Sequence, residues 1–192
     1  MKTLRLLLFT LSGFVFGQNI QSIQLFNPQT NDETPVIYTN QQLVLSFDDL
    51  TNSSQIYRYT LKHYNRNWED DNLFFTEFAT GSLNGLLDSF QYSFNTLQSY
   101  THYKLNFPND KMQLKISGNF EIIVYKDSAD KPLFKRRFYV VENAATLTVG
   151  VSRYADARNP DANQRVEVKA VSAGGDLSSN VNSMTLNVMQ NN

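Results

Sequence analysis

The amino-acid sequence predicts an all-β protein: an immunoglobulin- or fibronectin-III-like antiparallel sandwich over residues 18–142, followed by part of a second β domain over residues 143–192. Three observations carry that expectation. Apolar and polar residues alternate along most of the chain, the two-residue period of a strand with one dry and one wet face. Turn residues punctuate these runs at spacings that suit hairpins and Greek-key connections. No segment of helical length has a 3.6-residue period, which argues against an α/β arrangement.

The strands are read in order. Ile23 and Leu25 share a face, as do Leu43, Leu45 and Phe47. Tyr57, Tyr59, Leu61 and His63 form the next dry face. Phe90, Tyr92 and Phe94 follow, then Tyr103, Leu105 and Phe107. Phe120, Ile122 and Val124 precede Phe134, Phe138 and Val140. Turns are expected at Asn27-Pro28, Asn31-Asp32, Asn52 to Ser54, Pro108 to Asp110, Ser117 to Asn119 and Asp127 to Pro132. Tyr103 opens its strand six residues after Leu97 and is the candidate for a tyrosine corner, in which the phenol bonds the backbone of the preceding loop. After a boundary near Glu142 to Ala145 come three more alternating runs, around Leu147, Val166 and Met184. A polar loop from Tyr154 to Gln164 and the pair Gly174-Gly175 separate them. Three strands rarely bury a core alone, so they are expected to open a second, incomplete domain.

The first seventeen residues have the pattern of an export signal. Lys2 and Arg5 precede an apolar run, Leu6 to Phe16, too short to span a bilayer. Val15 and Gly17 suit the −3 and −1 sites of a signal peptidase, so cleavage is expected after Gly17. The mature chain then carries 15 basic and 18 acidic side chains, a charge of −3. That balance excludes an electrostatic nucleic-acid binder, and no direct membrane insertion is expected. The chain has no Cys, which removes thiol chemistry and thiolate metal sites. With 41% hydrophobic and 13% aromatic residues it can build a core without disulfides.

Residues 65–88 stand apart as a long segment without a clean period, carrying Trp68, Phe74, Phe75 and Phe78 among acids. Long loops on rigid scaffolds either work or cover the core. Arg66 and Trp68 have the residue types of interface hot spots and are the candidate partner contacts. The two histidines fall on opposite faces of their strands: His63 is expected in the core and His102 in solvent. Asp48-Asp49 and Glu69-Asp70-Asp71 read as solvated turn acids, since no calcium-loop spacing accompanies them. Lys135-Arg136-Arg137 alternates faces, so it cannot form one patch; it could guard a sheet edge or meet an acidic partner. No phosphate loop, nucleophile elbow or catalytic triad is recognisable, so neither a catalytic site nor a cofactor or metal is expected.

Several stretches carry a resemblance. They include Leu45-Ser46-Phe47-Asp48-Asp49-Leu50, Tyr59-Thr60-Leu61-Lys62-His63-Tyr64 and Trp68, and then Ser93-Phe94-Asn95-Thr96-Leu97-Gln98-Ser99-Tyr100-Thr101-His102-Tyr103. Lys115-Ile116-Ser117-Gly118-Asn119-Phe120 and Arg136-Arg137-Phe138 complete the order. Together they resemble the plug proteins of type IX secretion systems over residues 20–142, with Tyr64 standing where that family commonly has Cys. The resemblance implies a non-enzymatic periplasmic protein, and since the sequence offers no coiled coil or other self-association device, a monomer is expected outside the complex. It would occlude the periplasmic opening of the outer-membrane translocon barrel in the idle state. It also implies a longer chain than this one. On the residues alone two other readings stay open. One is a periplasmic carbohydrate-binding module with Trp68 and Tyr64 as a stacking platform; the other is an adhesive surface domain.

Overall fold

The computed structural model describes residues 19–30, 34–51, 53–142, 145–153, 164–172 and 185–186. The expected leader and its cleavage site, the Asn31-Asp32 turn, most of the Tyr154–Gln164 loop, Gly174-Gly175 and nearly all of the run around Met184 lie outside these residues. The strands are β1 (Ile20–Phe26), β2 (Val36–Tyr38), β3 (Leu43–Asp49) and β4 (Tyr57–Tyr64). A single-turn helix α1 (Phe75–Phe78) precedes β5 (Ala79–Gly81), β6 (Gly85–Leu87) and β7 (Phe90–Tyr92). The chain continues through β8 (Thr101–Phe107), β9 (Met112–Leu114), β10 (Gly118–Tyr125) and β11 (Phe134–Val141) to β12 (Ala145–Ser152) and β13 (Arg165–Ser172).

Two sheets form the body. One has the order β1-β3-β8-β7 and the other β2-β11-β10-β4-β6. All neighbours are antiparallel except β2 and β11. The short pair β5-β9 lies outside these two sheets. The fold is thus an all-β sandwich, as the two-residue period requires.

Aromatic rings from both sheets interlock between them. Phe47 stacks on its register neighbour Tyr103 at 5.1 Å and meets Tyr57 and Phe134 of the facing sheet edge-on at 5.4 and 5.1 Å. Further along, Phe120 stacks on Phe138 at 5.3 Å, and Phe107 closes on Phe138 from the opposite sheet at 5.6 Å. Such ring pairs add ~0.5–1.5 kcal/mol each beyond the area they bury. Two of the inner strands, β3 and β10, are more deeply covered than alternation suggests. β3 buries Val44 and Ser46 as well as its core face, and β10 buries Glu121, Ile123 and Tyr125.

The structure corrects several expectations. The Tyr103 hydroxyl donates to the Gln55 carbonyl at 2.9 Å and accepts from the Gln55 N–H at 2.6 Å. Gln55 lies in the β3–β4 crossing, 48 residues upstream, and not in the loop just before β8. Tyr103 thus ties its phenol to the backbone of an upstream loop. It pins the passage between the sheets from a neighbouring strand, because β8 lies beside β3 and its ring reaches the end of the sandwich. Asp49 is fully buried rather than solvated; its carboxylate accepts from the Tyr57 hydroxyl at 2.8 Å and the Thr51 N–H at 2.9 Å. Asp70 pairs with Lys62, Asp71 with His63 and Asp48 with His102. These acids hold loops and strands together.

β12 and β13 form a separate antiparallel hairpin with Val149 opposite Val168. Leu147, Val149 and Val151, expected on a dry face, are 59–63% exposed, so among the described residues nothing covers that face.

Candidate protein-interaction surfaces

Two surfaces stand out. The first is the outer face of the five-stranded sheet, where alternation sends Lys62 and Tyr64 of β4, Glu121 of β10, and Lys135, Arg137 and Tyr139 of β11 outward. The turn after β4 folds a tryptophan back onto that face. Asn65 organises it: its side-chain oxygen accepts from the N–H groups of Asn67 and Glu69 at 2.8 and 3.0 Å, and its carbonyl accepts from the Trp68 N–H at 3.0 Å. Trp68 is held at φ 62, a left-handed conformation that a bulky residue adopts only when its surroundings enforce it. Those surroundings are Tyr64 at 5.7 Å, the edge of Tyr139 at 5.4 Å and the Arg137 guanidinium 4.3 Å above the ring.

Glu121 anchors the neighbouring part of this face. It accepts from the Tyr64 hydroxyl at 3.1 Å and pairs with Lys135 at 3.2 Å. Burial, then the nearby Glu121 charge, pushes the Tyr64 phenol up to about 12. Of the two expected contact residues, Arg66 is exposed while Trp68 is half-buried. They sit two positions apart on one turn but are not brought together into a site. Arg137 already covers one face of the indole, which leaves at most one ring face for a stacked sugar.

The second surface escaped sequence reasoning. Phe90, Tyr92 and Phe94 were expected on a dry face, but they are 40%, 62% and 93% exposed. The strand is only Phe90–Tyr92, at the edge of its sheet and beyond the cover of the other. After it the chain makes a closed loop. The Ser93 N–H donates to the Tyr100 carbonyl at 2.9 Å, and the Ser93 hydroxyl accepts from the Tyr100 N–H at 2.9 Å. Asn95 takes a left-handed conformation at φ 56, and the side chains of Phe94 and Leu97 stand in solvent. No residue from Ser89 to Tyr100 is charged. A run that is both uncharged and aromatic was the available signal, and the strand period masked it. Exposed apolar groups clustered on a stiff loop mark a contact surface.

The comparisons with known proteins decide the family. Residues 20–142 match the family described as type 9 secretion system plug protein, 1st domain. The chain belongs to that family. The family is described as a type 9 secretion system component, which is consistent with a place in the cell envelope. Among solved structures, the chain is similar to a hypothetical protein from Parabacteroides merdae ATCC 43184, with 29% identity and a TM-score of 0.72. The alignment covers 81% of this chain and 40% of that protein, so the plug-family chain spans well under half of that relative's length. A second structure, the Pseudomonas fluorescens alkylpurine DNA glycosylase AlkC bound to DNA containing an abasic site analog, aligns with 11% identity and a TM-score of 0.35. It covers 64% of this chain and 30% of the glycosylase, and carries no argument. No curated protein matches the chain. Among the described residues, no group of His, Asp and Glu could hold a metal ion.

Proposed function

We propose that the chain is a non-enzymatic, periplasmic stopper that occupies the periplasmic opening of the type IX translocon barrel while the translocon is idle. The observation that supports this most directly is the uncharged Ser89–Tyr100 loop on a rigid plug-family sandwich, with Phe94 93% exposed and Leu97 fully exposed. A body that blocks a pore must keep its shape, and the interlocked rings between the sheets serve that end. Release on demand favours an interface of moderate size with a small apolar centre and a polar rim. The loop supplies the centre; Arg66 and Trp68, in the turn that follows β4, lie on the other surface and would make separate contacts. Export by the leader, with cleavage after Gly17, brings the chain to the periplasm. Residues 143–192 begin a second β domain, consistent with the open apolar face of the β12–β13 hairpin and with the greater length of the Parabacteroides protein.

The test is co-purification. An affinity-tagged chain expressed in its own cells should bring down the outer-membrane barrel of the secretion system, and Phe94→Asp with Leu97→Asp should release it. Failure of the wild-type chain to retain the barrel under mild detergent would discard the proposal.

A further inference from the structure

Two charged residues sit on core-facing positions: Asp49, already bonded by the Tyr57 hydroxyl, and Arg136. Phe134, Phe138 and Val140 of β11 point between the sheets, and Arg136 falls on the same face, opposite the fully buried Ile122. A guanidinium directed at a core normally has a carboxylate partner. Among the described residues none pairs with Arg136; it donates to the Lys135 carbonyl at 2.9 Å and lies 5.7 Å from the Phe134 ring. It stays half-exposed because it looks into a cleft of ≈ 610 Å³ on the open side of the sandwich, between β1 and β11. Ile20, Ile23, Leu133 and Phe134 give that cleft an apolar lining, Lys126 and Lys135 add two further cations, and no acidic residue lines it.

The strand edge beside the cleft is also open. The Tyr139 N–H donates to the Pro35 carbonyl at 2.9 Å, so Tyr139 turns its backbone groups toward β2. Strand alternation then sends the N–H and C=O groups of Lys135 and Arg137 to the same edge. Pairing with β2 covers only Tyr139–Val141, and Pro35, lacking an N–H, cannot extend it toward Arg137. Among the described residues, no strand pairs with that edge from Lys135 to Phe138.

We infer that this cleft receives an extended, acidic peptide segment of a partner protein, which adds to the free edge of β11 and sets a carboxylate against Arg136. An added strand lies ~4.8 Å from its neighbour, so its inward residue opposite Arg136 is a direct cross-strand partner. Backbone bonds would supply affinity and the cleft would supply selection, by apolar side chains on the lining and an acid at the guanidinium. The inference is independent of the barrel-plugging proposal.

The test selects random heptapeptides from a display library on the full chain, then measures the selected peptides in solution. The expected peptides alternate apolar residues with at least one Asp or Glu. Arg136→Gln should weaken their binding about tenfold or more, the range of a charge-assisted hydrogen bond. N-methylation of alternate peptide amides, which leaves the protein untouched, should weaken it at least as much. Selection without acidic enrichment overturns the inference. So does equal binding by Arg136→Gln, which would leave Arg136 as a guard against edge pairing, or binding that tolerates N-methylation.

Discussion

Replacing Gly118 with Ala should destabilise the domain by ~3 kcal/mol. Gly118 sits at φ +137, which L residues rarely adopt, and a Cβ built there would lie 2.3 Å from His63 Nε2. Two costs follow. The backbone must hold a strained conformation, at ~1–2 kcal/mol. The imidazole must also move, and it is clamped: it stacks near Phe78 at 6.0 Å, meets Phe120 edge-on at 4.7 Å, and bonds Asp71 through Nδ1. Displacing it gives up the Asp71 contact and the 3.3 Å approach of Nε2 to the Ser117 carbonyl, at ~0.5–1.5 kcal/mol each. Trp68 is the single tryptophan and reports unfolding in urea, where the midpoint should fall at constant slope. In a His63→Ala background the same substitution should cost only the backbone part, a coupling of ~1–2 kcal/mol. A loss below ~0.5 kcal/mol, or a loss unchanged by His63→Ala, would refute the reasoning.

Other outcomes follow from the same structure. Tyr103→Phe removes a hydroxyl that satisfies both backbone groups of Gln55 and should cost ~1–3 kcal/mol; an unmoved urea midpoint would contradict the role given to it. Burial raises the phenols of Tyr59, Tyr103 and Tyr125 above their ordinary value, and burial with Glu121 raises Tyr64 to about 12. Above pH ~10 the unfolded chain loses these protons first, so stability is fully present below that pH and falls as pH rises, by up to ~1.4 kcal/mol per pH unit for each buried phenol. Tyrosinate absorbance beyond that of exposed phenols such as Tyr38 and Tyr92, growing well before the fold is lost, would contradict this. Phe94→Asp and Leu97→Asp change exposed positions and should leave the urea midpoint within ~0.5 kcal/mol of wild type while weakening barrel retention. A large stability loss would show that the loop packs inward instead.

The period of two located the strands that carry the core. The alternate residues of Leu43 to Phe47, Tyr57 to His63, Tyr103 to Phe107, Phe120 to Val124 and Phe134 to Val140 all face inward as alternation requires, Arg136 among them as the one that stays half-exposed. The period failed where a strand is too short or too marginal for its face to be covered. Phe90 to Phe94 alternates like a core strand, yet its exposure is set by a position at the sheet edge that the local pattern does not encode. β2 has three residues and its extent is limited by Pro35, a tertiary matter. Helix α1 and β5 hold Phe78 and Ala79 inward with a single turn and three residues, below the length at which a period can be read. Asp49 looked like a turn acid because its partner, Tyr57, lies across the β3–β4 crossing. Gly118 and His63, fifty-five positions apart in the chain, were both visible in the sequence, but only the pairing of β4 with β10 shows why one requires the other.

The most direct test of the account is the permeability of the outer membrane. Cells lacking this protein should admit a large antibiotic such as vancomycin, and the wild-type chain should restore exclusion where the Phe94→Asp, Leu97→Asp variant does not. Cells that stay impermeable without the protein, while their translocon is present and otherwise intact, would contradict the claim that it closes the pore.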